Sequence, residues 1–133
     1  KHTFSDGLGL TVQHVDFTYP FSHKLRQELI TAADKSNIPI ETHGTYGATQ
    51  GPRLETAAEI VRMAGDGCTI VGMTGMPEAS LAREVGLSYA NCSLVVNWAA
   101  GIAKGPIKLD EISQHLATGM EDVIDLAAAW LQR

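Results

Sequence analysis

At 133 residues the chain is the size of one ordinary domain, and 44% apolar residues are enough for a core without any run long enough to cross a membrane. Charged residues make up 19%, with ten Lys and Arg against fifteen Asp and Glu, so the formal net charge is -5 and no basic stripe is available to a nucleic-acid backbone. Disorder, a fibre, a membrane partner and a nucleic-acid partner are therefore set aside.

In chain order, Leu10-Thr11-Val12-Gln13-His14-Val15-Asp16-Phe17 alternates apolar and polar side chains, which predicts a half-buried strand ended by Pro20. Ser22 can cap a helix on which Leu25, Leu29, Ile30 and Ala33 recur every three to four residues, until Asn37 and Pro39 stop it. A strand is expected from Ile40 to about Thr45. From Glu55 the spacing of Ala58, Ile60, Val61, Met63 and Ala64 predicts a helix ending at Gly65. Cys68 to Met73 reads as a short apolar strand. Pro77 suits a helix first turn, so residues 77–85 are expected as a helix closed by Gly86, followed by an apolar strand over 87–96. Asp110 opens a final helix with Ile112, Leu116, Val123, Ile124, Ala127, Trp130 and Leu131 on one side. Strands alternating with helices predict an α/β, three-layer α/β/α fold with a mixed central sheet and ligands at the carboxyl ends of the strands.

Cys68 and Cys92 have no metal-ligand spacing, so no metal is expected, and they read as small buried hydrophobes in a reducing compartment. Lys1-His2-Thr3-Phe4 lacks the apolar region of a signal peptide, which with the cysteines gives a cytoplasmic expectation. Asn91-Cys92-Ser93 matches a glycosylation acceptor, but it opens an apolar run and is read as accidental.

Three loops that follow expected strands carry the candidate chemistry: residues 45–56, 73–78 and 97–101. Thr74 stands just before a helix start, where free backbone N–H groups and a hydroxyl make an anion site; a plain helix cap is the structural alternative. Glu55 is either a polar contact for a ligand or a favourable charge in a helix first turn. Asn97 ends an apolar run, where a buried amide needs a partner, unless it simply bonds its own backbone.

The run Gly44-Thr45-Tyr46-Gly47-Ala48-Thr49-Gln50-Gly51-Pro52-Arg53-Leu54-Glu55-Thr56-Ala57-Ala58-Glu59, then Val71-Gly72-Met73-Thr74-Gly75-Met76-Pro77-Glu78 and Asn97, resembles the trimeric purine nucleoside phosphorylase and methylthioadenosine phosphorylase family. The opening Phe4-Ser5-Asp6-Gly7 and Pro20-Phe21 are similar to that family's middle region. The resemblance covers nearly the whole chain, yet only the carboxyl-terminal part of family members about twice as long. Residues 1–133 are thus expected to be the carboxyl-terminal part of a single phosphorylase domain. The family's Gly-rich phosphate loop and Arg-His phosphate segment have no counterpart here.

The resemblance implies reversible phosphorolysis in a homotrimer, with a purine nucleoside as substrate, inorganic phosphate as co-substrate and no cofactor. Carried over by motif, Thr74 contacts phosphate, Met73 lies against the ribose, and Val71 and Leu54 line the base pocket; Leu54 stands where many relatives have Phe. Relatives that take 6-aminopurines resemble this chain but carry Asp at the positions of Asn97 and Ala99. Asn97 can donate to O6 or N7 of a 6-oxopurine and is the expected catalytic residue, while Glu55 can accept from N1–H. Nucleoside phosphorylases that take a 5′-hydroxyl place a His after the base loop, whereas this chain offers Leu109 and Ile112, three apart on a helix and able to form an apolar wall. An oxopurine site with an apolar 5′ pocket points to S-methyl-5′-thioinosine. The alternatives are a general purine nucleoside or methylthioadenosine phosphorylase, an N-ribosyl hydrolase, and a nucleoside-binding module without turnover. The hydrolase would need a carboxylate near Met73 and Thr74, and none is obvious there.

Overall fold

A computed structural model describes residues 2–6 and 11–132. Its elements are α1 (His23–Ser36), β1 (Tyr46–Ala48), α2 (Ala57–Gly65), β2 (Ile70–Gly72), α3 (Gly75–Glu84) and α4 (Leu109–Leu131). Helix α1 begins where Ser22 Oγ accepts the Leu25 amide at 3.3 Å, and it stops at Asn37, whose φ of 54° closes the last turn in the left-handed conformation. It packs on α4 through Ala32, Ala33 and Leu126, with Leu29, Ile38, Ala129 and Trp130 around them.

Strands β1 and β2 are parallel neighbours in the register Tyr46 to Ile70, Gly47 to Val71 and Ala48 to Gly72, with α2 as the crossover between them. Parallel strands need such a crossover, so the segment is a compact βαβ unit in an α/β fold. Helix α2 is held at its start by a reciprocal cap: Thr56 Oγ1 accepts the Glu59 amide and Glu59 accepts the Thr56 amide. Ile60 and Met63 are its buried residues, and Gly47 is buried so tightly that a Cβ there would overlap the Met63 side chain and crowd Cys68. Helix α3 contains one residue in extended geometry, Met76, so its regular turns begin at Pro77. Its Arg83 reaches back to the early chain, donating to the carbonyls of Asp16 (3.2 Å), Tyr19 (2.6 Å) and Pro20 (3.4 Å), with its guanidinium 6.0 Å from the Phe17 ring centre.

Three expected strands are not strands among the described residues. Residues 11–17 carry no ladder, although Val15 and Phe17 are half-buried while His14 and Asp16 are exposed; Leu10 lies outside the described residues. Residues 40–45 stay irregular and exposed because the ladder can begin only at Thr45, whose carbonyl accepts from Thr69 and Ile70; one residue earlier, the Cys68 amide is committed to Met63 in the α2 turn. Residues 87–96 are extended without pairing. Leu87 and Val95 are each 64% exposed, and the segment's backbone bond to another part of the chain is the Ser22 amide on the Tyr89 carbonyl. A strand exists only through its neighbours, so apolar runs without a partner remain single extended segments. The sheet therefore has two parallel strands, with no antiparallel member among the described residues.

Glu55 sits outside α2, and Glu59 is the acidic residue of the first turn. Cys68 is half-buried and Cys92 exposed, against the expectation that both are buried; partial burial still pushes the Cys92 thiol up. On α4 the expected inward side divides: Trp130 packs on α1, while Leu116, Ile124 and Leu131 are exposed. Among the described residues no helix is long and apolar enough to cross a membrane.

Candidate functional site

The carboxyl ends of β1 and β2 open into a cavity of about 590 Å³, which residues 91–99 also line. This is where a parallel sheet leaves room for a ligand, because the loops leaving both strands diverge there. Leu54 and Glu55 come from the loop after β1, Val71, Met73 and Thr74 from β2 and the turn beyond it, and Asn97 and Ala99 from the segment 91–99. Six residues expected from three separate loops, and Val71 on β2, thus share one cavity.

Glu55 is oriented by Thr49, whose hydroxyl donates to its Oε1 at 2.7 Å and whose amide donates to the Gly72 carbonyl at 2.9 Å. The loop after β1 is thereby tied to the end of β2, and the second Glu55 oxygen has no protein partner among the described residues. Leu54 is 42% exposed at the cavity edge, an aliphatic cover without a facing side. Asn97 Nδ2 donates to the Trp98 carbonyl at 2.8 Å, so the bond to its own neighbouring backbone is made in this state. Behind it, His115 Nδ1 lies 2.7 Å from the Val96 carbonyl and fastens this segment to α4.

Thr74 stands before α3 with its hydroxyl making no cap bond. The amides expected to be free are taken: Thr74 N–H and Gly75 N–H both donate to the Tyr46 hydroxyl, at 3.3 and 3.2 Å. Near the same turn, Tyr89 donates to Glu78 at 2.6 Å, and burial, then this bond, push its hydroxyl up to about 12.

Leu109 and Ile112 stand off the cavity wall. Leu109 is 71% exposed at the start of α4, and the apolar residues that reach the cavity from this side are Ile102 and Ile107. Tyr46 and Asn91 also line the cavity, and neither stands out in the sequence as a site residue. Tyr46 stood inside the first quoted motif, but its role depends on amides 28 and 29 residues away, which spacing does not reveal. Among the described residues no group of three or more His, Cys, Asp or Glu is placed to hold a metal ion.

Residues 2–132 match the phosphorylase superfamily. The chain is 59% identical over 99 residues to the "Probable S-methyl-5'-thioinosine phosphorylase" of Xanthomonas campestris pv. campestris, covering 74% of this chain and 40% of that protein. It is 43% identical over 118 residues to the "6-oxopurine nucleoside phosphorylase" of Pyrococcus furiosus, covering 89% of this chain and 44% of the relative. Among solved structures, methylthioadenosine phosphorylase from Schistosoma mansoni in complex with adenine superposes with a TM-score of 0.90 at 25% identity, over 99% of this chain and 53% of that one. The chain spans about half the length of the proteins it matches. A βαβ unit with a cavity at its carboxyl edge, and a family match from residue 2 to residue 132, lead to one conclusion: the chain belongs to the phosphorylase superfamily.

Proposed function

We propose that the protein to which these residues belong catalyses phosphorolysis of S-methyl-5′-thioinosine, giving hypoxanthine and 5-methylthioribose 1-phosphate. The observation that carries this reading is the convergence of Leu54, Glu55, Val71, Met73, Thr74, Asn97 and Ala99 on one cavity at the sheet's carboxyl edge. A phosphate oxygen attacks the anomeric carbon, the glycosidic bond breaks, and its electron pair leaves with the purine. Thr74 holds phosphate, Met73 lies under the ribose, and Val71 and Leu54 cover the base. Asn97 exchanges the Trp98 carbonyl for the base and donates to O6 or N7, a bond that strengthens as the purine gains charge. Glu55 accepts the N1–H that a 6-oxopurine has and a 6-aminopurine lacks. Losing such a partner in a closed site costs about 1–3 kcal/mol, which disfavours adenine.

Phosphate is a co-substrate and no cofactor is required. The working form we propose is a cytoplasmic homotrimer, a reading supported by the resemblance, which puts active sites near subunit boundaries. The 133 residues are read as the carboxyl-terminal part of one domain, supported by their span of about half of each relative.

Preference for a 5′-methylthio group rests on Ile102 and Ile107 at the cavity and on relatives whose names include that substrate. Replacing a hydroxyl by an apolar group there favours the methylthio nucleoside by roughly tenfold or more. A second reading, a general 6-oxopurine nucleoside phosphorylase, is favoured by Leu109 and Ile112 standing off the wall. Comparing kcat/KM for methylthioinosine and inosine decides between the two. Base release should require phosphate, and Asn97→Asp should move activity toward 6-aminopurines. Phosphate-independent release would mean a hydrolase, and adenosine-type substrates turning over as fast as inosine-type ones would overturn the Asn97 assignment.

A further inference from the structure

The turn at residues 73–75 has an unusual division of labour. The amides of a turn need acceptors, and a Thr hydroxyl beside them is the nearest one available. Here Thr74 makes no cap bond, while the Tyr46 hydroxyl, reaching across from β1, accepts both the Thr74 and Gly75 amides. The Tyr46 ring reaches them through a slot that two glycines keep open. A Cβ at Gly72 would overlap the Tyr46 hydroxyl, and one at Gly75 would lie 3.0 Å from the ring. With two amides accepted, what remains to the Tyr46 oxygen is its single proton, a donor. Both Tyr46 and Thr74 line the cavity.

We propose that Tyr46 is the positioning residue of the Thr74 turn: by accepting both amides from the strand side it leaves the Thr74 hydroxyl to bind a phosphate oxygen. The inference rests on the phosphorolysis reading for its ligand, but not for its geometry. If Thr74 served these amides itself its hydroxyl would be occupied; served by Tyr46, they leave that hydroxyl to the ligand and the backbone beneath it is held still. The slot explains why Gly72 and Gly75 flank Met73 and Thr74, since larger residues at either position would displace the ring.

The test uses protein made from the complete coding sequence. Tyr46→Phe keeps the ring and removes the acceptor. It should raise the KM for inorganic phosphate about tenfold while the nucleoside KM stays within about twofold, since one bond to a positioned turn is lost and the base pocket is untouched. In a Thr74→Ala background the same substitution should add less than about twofold, because Tyr46 acts through Thr74. Gly72→Ala, which keeps the hydroxyl but displaces it, should reproduce the phosphate effect. Amide hydrogen exchange of Thr74 and Gly75 should quicken about tenfold in Tyr46→Phe, with or without turnover. Additive effects of the two substitutions, an equal rise in both KM values, or unchanged exchange would overturn the proposal. Base release without phosphate would sink the phosphorolysis reading and leave the exchange measurement to judge Tyr46.

Discussion

Glu59 holds four bonds at the start of α2. Arg53 donates to it through both terminal nitrogens at 2.9 and 2.7 Å, and Thr56 donates through its amide at 2.7 Å and its hydroxyl at 3.0 Å. The Arg53 hydrogen bonds, then the Thr56 amide, pull its carboxyl from the usual 4.5 down to about 2. A depressed carboxyl stabilises the folded state fully above its unfolded value and loses that contribution as pH falls through its folded value. The window is therefore about pH 4.5 down to 2, and neutral pH lies on its stable side. Carbon-detected NMR should find Glu59 half-protonated near pH 2, and Glu59→Gln should erase this part of the acid dependence; a midpoint above 4 would show the cap and ion pair to be absent in solution. Caps of this kind are legible in sequence because donor and acceptor lie within one turn: Ser22, Thr56 and Asn37 all act at or next to the boundaries their types predict. Tyr46 was not legible in that way, since its partners are brought to it only by the folding of β2 and α3.

At the scale of elements, helices were easier to read than strands for a related reason. A helix satisfies its own backbone, so periodicity and stop signals locate it, whereas residues 40–44 and 87–96 have strand-like composition but no neighbouring strand to pair with among the described residues. The loops of the site were legible because three motifs occur in order. The placing of Leu109 and Ile112 was not, because the direction a helix face looks depends on what it packs against. Helix α4 makes the point. Leu109, Leu116, Met120, Ile124 and Leu131 follow one another at helical spacing and are 71%, 46%, 37%, 60% and 72% exposed, while Leu126, one side over, is buried against α1. An exposed apolar stripe of that length, on a helix whose other apolar side already packs on α1, is a surface made to be covered. The 133-residue chain by itself should therefore bind a hydrophobic dye such as anilinonaphthalene sulfonate. The double substitution Leu116→Lys and Ile124→Glu should cut that signal at least about twofold while helical circular dichroism is kept, both new residues being good helix formers. A chain that binds no dye would mean the stripe is already buried in solution.

The whole molecule is open to a degree that its length does not explain. A compact chain of this mass would expose about 6,800 Å²; this one exposes 9878 Å². The excess is what a further large segment or a neighbouring subunit would cover, in keeping with a chain that spans about half of each relative. Buried apolar residues among the described ones are six: Ala32, Ala33 and Leu126 cluster between α1 and α4, while Ile60 and Met63 lie on α2 and Ala79 on α3. Two residues of α3 hold the early chain: Glu84 accepts the Phe4 amide at 2.8 Å, and Arg83 donates to carbonyls 63 to 67 residues away. That arrangement sets an order of events. A guanidinium cannot collect three carbonyls until α3 exists to present it, and closing so long a loop brings little return before then, so residues 16–20 are expected to dock late, after the folding barrier. Arg83→Ala should accordingly speed unfolding about tenfold and leave the refolding rate unchanged, a split that stopped-flow kinetics reads directly and that an equal slowing of refolding would refute. The early segment is then a latch: last to close as the chain assembles, and first to lift when it comes apart.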